Sequence, residues 1–170
     1  TIAAPLFAGK TYPWEVLEDI SAFILEIGET LSEEDFVHPM PDIWIARDAL
    51  VAPSAFIQGP CIIDAGAEIR HCALIRGSAL IGKNCVVGNS TEVKNAILFD
   101  GVQVPHYNYV GDSVLGYKAH MGAGAVTSNV KGDRTLVTIK TEDETIQTGR
   151  KKFGAILGDH AEIGCNAVLN

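Results

Sequence analysis

Ten large apolar residues recur every six positions without a break: Ile45, Val51, Ile57, Ile63, Ile69, Ile75, Ile81, Val87, Val93 and Phe99. If about a third of positions are large and apolar, chance gives such a run about once in 10⁴–10⁵ trials per frame. Two positions before each successive member sits a small residue: Ala49, Ala55, Cys61, Ala67, Ala73, Ala79, Cys85 and Thr91. Six residues at a helix's ~100° per residue scatter the apolar positions over three directions, whereas six at a strand's ~180° keep them on one face. The repeat therefore codes strands, with the aliphatic and the small residue both turned inward and the small one where the wall bends. Hairpin signals at regular spacing are absent, so the strands stack as the walls of a coil, each coil lying on the next. The expected fold is an all-β parallel solenoid. The period fixes neither the number of walls per coil nor the hand.

The register slips by one between Phe99 and Val104, runs to Val110, slips again to Leu115, and continues through Met121 to Thr127. It resumes at Leu157, Ile163 and Leu169. The solenoid domain is thus expected over 43–170, with a loop at 131–153 whose alternation on either side of Glu142 and Asp143 predicts an extruded hairpin. Because the pattern is still running at Asn170, the solenoid is expected to be incomplete at that end. Upstream, Pro13 and the stripe at 14, 16, 17, 20, 23, 24 and 27, ended by Gly28, predict a helix capping the solenoid's open end. An acidic connector, Leu31 to Pro41, completes an N-terminal segment of residues 1–42.

A net charge of −8 repels phosphodiester backbones and argues against nucleic acid as a partner. No apolar run approaches the ~20 residues of a membrane span, and the N-terminus lacks a signal-peptide layout, so a cytoplasmic protein is expected. Cys61, Cys72, Cys85 and Cys165 show no CxxC spacing and read as reduced core residues. The five histidines form no close pair, so no metal site is expected. A Gly-Lys-Ser/Thr phosphate loop and a GxSxG elbow are both missing.

In a three-walled coil of eighteen residues, positions eighteen apart lie one above the other at the ~4.8 Å strand spacing. Arg76 and Lys94 are so related and both point outward, which reads either as a phosphate site or as two solvated surface cations. With the slipped coil counted as seventeen, His106 lies under Ala123 in Met-Gly-Ala-Gly. An imidazole beside minimal side chains and free backbone N–H groups suits proton abstraction with oxyanion stabilisation; an ordinary surface histidine is the competing reading. Six of the thirteen basic residues (Lys131, Arg134, Lys140, Arg150, Lys151 and Lys152) cluster at 131–152, either as an anion-binding surface or as a solvated hairpin.

LIRG at 74–77, GNSTEVKNA at 88–96, HYNYVGDSVLG at 106–116, MGAGAVTSN at 121–129 and KKFGAILGD at 151–159 give a more specific signal. Over 43–170 the chain resembles the left-handed parallel β-helix, hexapeptide-repeat acetyltransferase domain of bifunctional sugar-1-phosphate nucleotidylyltransferase/glucosamine-1-phosphate N-acetyltransferases of the GlmU type. The long loop is more like the archaeal versions. The resemblance implies that His106 is the general base and that Arg76, Lys94, Tyr109 and Asn129 bind the sugar phosphate, with Lys152 serving a phosphate from an adjacent subunit. It also implies that Ala123 meets the thioester of acetyl-CoA, with His120 and Cys165 on the same side. Acyl transfer in this family requires no metal, and its members form homotrimers. His120 and Cys165 depart from the bacterial pattern of asparagine and a small hydroxyl residue. The rival expectation is therefore a non-catalytic trimerising or regulatory domain of a sugar nucleotidyltransferase. A zinc-dependent hydratase on the same fold is a third option.

Overall fold

A computed structural model describes all residues, 1–170. Strands of two to seven residues form three walls, and along each wall the chain meets itself in parallel. Ile45 aligns with Ile63, Ile81, Leu98, Leu115 and Leu157 on the first wall. Val51, Ile69, Val87 and Val104 align on the second, with Met121 and Ile163 completing that row. Ile57, Ile75, Val93 and Val110 align on the third, followed by Thr127 and Leu169. The inward residues of all three walls merge into one apolar column running the length of the solenoid, as the six-residue period requires. Ala67, Ala73, Ala79, Cys85 and Thr91, the small register, are fully buried within it.

The coil shortens from eighteen residues to seventeen at one place, the corner between the third and first walls. From Ile75 to Ala79 the chain takes two left-handed residues, Gly77 and Ser78; at the equivalent corners Asn95 and Asp112 suffice alone. With one residue fewer to turn, backbone pairing runs through the corner, giving the seven-residue strands Glu92–Leu98 and Tyr109–Leu115. The first slip therefore falls between Val93 and Leu98, one unit earlier than the sequence pattern suggests. Leu98, fully buried, occupies the inward position assigned to Phe99, and Phe99 faces outward against Phe7 with ring centroids 5.4 Å apart.

The predicted N-terminal helix forms as a 3-10 turn, Pro13–Glu18, followed by an α-helix, Ile20–Gly28. It does not cover the open end. Val16, Leu17, Ile20 and Ile24 lie flat against the outer face of the first wall, on Ile62, Leu80, Ile97 and Val114. These four outward residues alternate with the inward column, so that wall is apolar on both faces and needs a second layer to cover it. Gly28 ends the helix against the indole of Trp44, where a Cβ would stand 2.5 Å from the ring. The expected connector is partly a strand: Phe36–Met40 pairs antiparallel with Ile43–Ala46 and covers that edge, with Pro39 where no partner strand follows. The loop at 131–153 carries the expected hairpin, Thr138–Lys140 paired with Thr145–Gln147. The cysteines divide: Cys61 and Cys85 are buried, whereas Cys72 and Cys165 are exposed at corners rather than in the core.

Candidate functional site

Arg76 and Lys94 do follow inward aliphatics on successive rungs of the third wall. They are not an unpaired couple. Arg76 Nη1 lies 2.6 Å from Glu92 Oε1, and Lys94 Nζ 3.6 Å from Asp112 Oδ2. The hydrogen bond to Glu92, with its charge, raises the pKa of the Arg76 guanidinium above the usual range. The repulsion expected of two stacked cations is thus relieved by carboxylates of this chain.

Asp112 is the hub of this cluster. It is buried, takes the left-handed backbone of the short corner, and accepts from Asn95 Nδ2 at 2.9 Å and from Asn129 Nδ2 at 2.6 Å. Asn129 Nδ2 also lies 3.1 Å from the Tyr109 hydroxyl, whose pKa is raised first by burial. Lys94, Tyr109 and Asn129 are therefore brought together as expected, around an aspartate that the sequence reading passed over. Lys152 reaches the same corner by its backbone, through a bridge to Val130 and the bond from Phe153 N–H to the Asn129 carbonyl.

His106 stands exposed at the end of the second wall, across the second corner from Tyr109. No protein group hydrogen-bonds its ring. Its backbone is fixed twice: the N–H donates to Asn108 Oδ1 at 3.1 Å, and the carbonyl accepts from Gly124 N–H at 3.0 Å. Asn108, buried in an inward slot otherwise filled by small residues, also donates to the carbonyls of Gly122 (2.8 Å) and Ala125 (3.0 Å). One amide thus ties the histidine's strand to the glycine-flanked segment of the next coil. A Cβ at Gly122 would sit 2.7 Å from the Cys165 nitrogen, and Gly124 has a left-handed φ of 73°, so both positions call for glycine. Within this segment the N–H groups of Gly122, Gly124 and Ala125 all have backbone acceptors, which leaves that of Ala123 free.

Ala123 and Cys165 are neighbours in adjacent coils, where Asn166 N–H donates to the Ala123 carbonyl at 2.8 Å. His120 lies apart from them, its Nδ1 2.7 Å from Glu162 Oε2 on an open polar face with Asn84, Gln103, Lys118 and His160. The hairpin overhangs the last coil and encloses a cleft of about 520 Å³ bordered by Lys131, Lys140, Val130, Phe153 and Asn170. Of the residues overlooked in sequence, Asn95, Asn108 and Asp112 carried one signal, polar side chains at inward or corner positions of a repeat that is otherwise small or apolar there, whereas Glu92 stands on the outward face of the third wall, where a charged residue carries no signal.

Residues 57–170 match the family of the GMPPB C-terminal domain. The chain belongs to this family. It is similar to parts of longer proteins. It is 35% identical over 77 residues to a bifunctional sugar-1-phosphate nucleotidylyltransferase/acetyltransferase of Sulfurisphaera tokodaii, a match covering 45% of this chain and 19% of the relative. It is 33% identical over 155 residues to the bifunctional protein GlmU of Methanococcus maripaludis, covering 90% of this chain and 38% of that protein. The chain thus spans well under half the length of these curated relatives. Among solved structures, a hexapeptide transferase family protein from Anaplasma phagocytophilum superposes with a TM-score of 0.57 at 16% identity, covering 75% of this chain and 66% of that one, and shares the fold. The left-handed β-helix expected from the motifs is the fold of this group.

Proposed function

We propose that this domain transfers the acetyl group of acetyl-CoA to the amine of a hexosamine 1-phosphate, glucosamine or galactosamine, in the route to nucleotide sugars such as UDP-N-acetylglucosamine. The observation that carries this reading is His106 held against a segment whose one free backbone N–H is that of Ala123. His106 takes a proton from the amine as nitrogen attacks the thioester carbon. The Ala123 N–H meets the developing oxyanion, and collapse breaks the C–S bond, the thiolate recovering the proton from the imidazolium. Arg76 and Lys94 exchange Glu92 and Asp112 for the phosphate, while Tyr109 and Asn129 orient the sugar. Ala123 and Cys165 border the acetyl-CoA side, while His120, which the resemblance put with them, lies apart on a neighbouring polar face. No metal enters any step. The name of the Sulfurisphaera tokodaii relative, which pairs nucleotidylyl and acetyl transfer, supports the reaction class.

Lys152 is exposed, and the resemblance to trimeric enzymes, in which this lysine serves a neighbouring copy's phosphate, supports a homotrimer as the working unit of what we take to be a cytoplasmic protein. No helix of the chain is long and apolar enough to cross a membrane.

A non-catalytic, trimerising or regulatory domain is the second reading. The internal ion pairs of Arg76 and Lys94 and the unpartnered His106 ring favour it. Chromatographic measurement of free CoA, with acetyl-CoA and either glucosamine or galactosamine 1-phosphate, decides between the two. Release matched by N-acetylated sugar is expected, and its absence with both sugars overturns acyl transfer.

A further inference from the structure

The corner between the second and third walls carries a second cluster of reactive side chains, in the first two coils. Ser54 and Cys72 are stacked there eighteen residues apart, with His71 beside them. Cys72 Sγ lies 3.2 Å from His71 Nε2, and His71 Nδ1 lies 2.6 Å from Ser54 Oγ. Ser54 Oγ also accepts the Cys72 backbone N–H at 3.2 Å. A hydroxyl has two acceptor lone pairs, so Ser54 can take the Cys72 N–H with one and an Nδ1–H of His71 with the other. That choice leaves Nε2 bare and facing the sulfur. Ser54 keeps both bonds when the imidazole becomes charged, so moving the thiol proton to Nε2 needs no rearrangement. Nucleophile, base and orienting group are all in place and all exposed.

The other three cysteines show what this arrangement adds. Cys61 and Cys85 are buried and their thiols are pushed up to about 12. Cys165 is exposed like Cys72, but its sulfur has no hydrogen-bond partner. We propose that Cys72, with His71 as its base and Ser54 holding the imidazole, is a nucleophilic thiol that exchanges with low-molecular-weight disulfides. In the exchange the Cys72 sulfur attacks one sulfur of R–S–S–R, a Cys72–S–S–R bond forms and the original S–S bond breaks. The departing thiolate takes the proton held on His71, so one disulfide and one thiol are consumed and one of each is formed. This site stands apart from the acyl-transfer proposal and does not depend on it.

The test treats the intact, folded chain with oxidised glutathione, quenches with acid at intervals, and follows modification of Cys72 and Cys165 by peptide mass spectrometry. Cys165 serves as the exposed thiol without a base. Cys72 is expected to react about tenfold faster or more; His71→Ala is expected to bring it down to the rate of Cys165, and Ser54→Ala to slow it several-fold. Equal rates for the two thiols in the unaltered protein overturn the proposal, as does an unchanged Cys72 rate in His71→Ala. The comparison within the unaltered protein decides the matter even where a variant fails to fold.

Discussion

Asn108 and Leu98 show how much a single side chain settles here. Asn108 spends an inward slot on an amide that satisfies His106 N–H and the carbonyls of Gly122 and Ala125, trading apolar packing for a fixed spacing between two strands of the site. Leu98 decides the register. Because it, and not Phe99, enters the column, Leu98→Ala removes a fully buried side chain that cannot collapse onto neighbours in a stacked coil, at a cost of about 2–5 kcal/mol. Phe99→Ala strips a half-buried ring from the outer layer and costs less. Urea denaturation of the two variants checks this ordering; a larger loss for Phe99→Ala contradicts the register. The sequence pattern could not place this slip, because Leu98 and Phe99 are both large and apolar and either continues a period. Only the shortened corner at Asn95, where one left-handed residue does the work of Gly77 and Ser78, chooses between them.

At the level of elements, the solenoid strands, the hairpin and the N-terminal helix were legible from periodicity, but the edge strand Phe36–Met40 and the helix's resting place were not. A stripe at helical spacing says that one face is buried and not against what. The complementary signal lay in the first wall, whose strands CII, ALI, AIL and SVL are apolar at consecutive positions and so on both faces. Ile24, fully buried between helix and wall, gives a direct check. Ile24→Asp places an unpaired carboxylate in that layer, which undocks the segment 13–28 rather than tolerate the charge. Hydrogen exchange is expected to show amides of 20–28 losing protection while those of 79–81 and 96–98 keep theirs. Loss of protection along the whole column instead shows that the helix is integral to the solenoid.

On the scale of the whole molecule, stacked coils turn sequence spacing into spatial order. Residues seventeen or eighteen apart become neighbours, so Arg76 and Lys94, Asn95 and Asp112, and His106 and Ala123 each meet across one rung. That much of the site follows from counting. What counting misses is pairing: the carboxylates of Glu92 and Asp112 come from one rung away and neutralise the cations before any ligand arrives. The solenoid gives the proposed reaction two sides, a polar cluster around Asp112 for the sugar phosphate and a glycine-flanked segment for the thioester, with His106 stacked on that segment one wall away from the Asp112 corner. Single-turnover acetylation by His106→Ala, measured beside its affinity for the hexosamine 1-phosphate, tests this division most directly. The account predicts a rate about 10²–10⁴ lower with affinity nearly unchanged; a variant that acetylates as fast as the unaltered protein contradicts it.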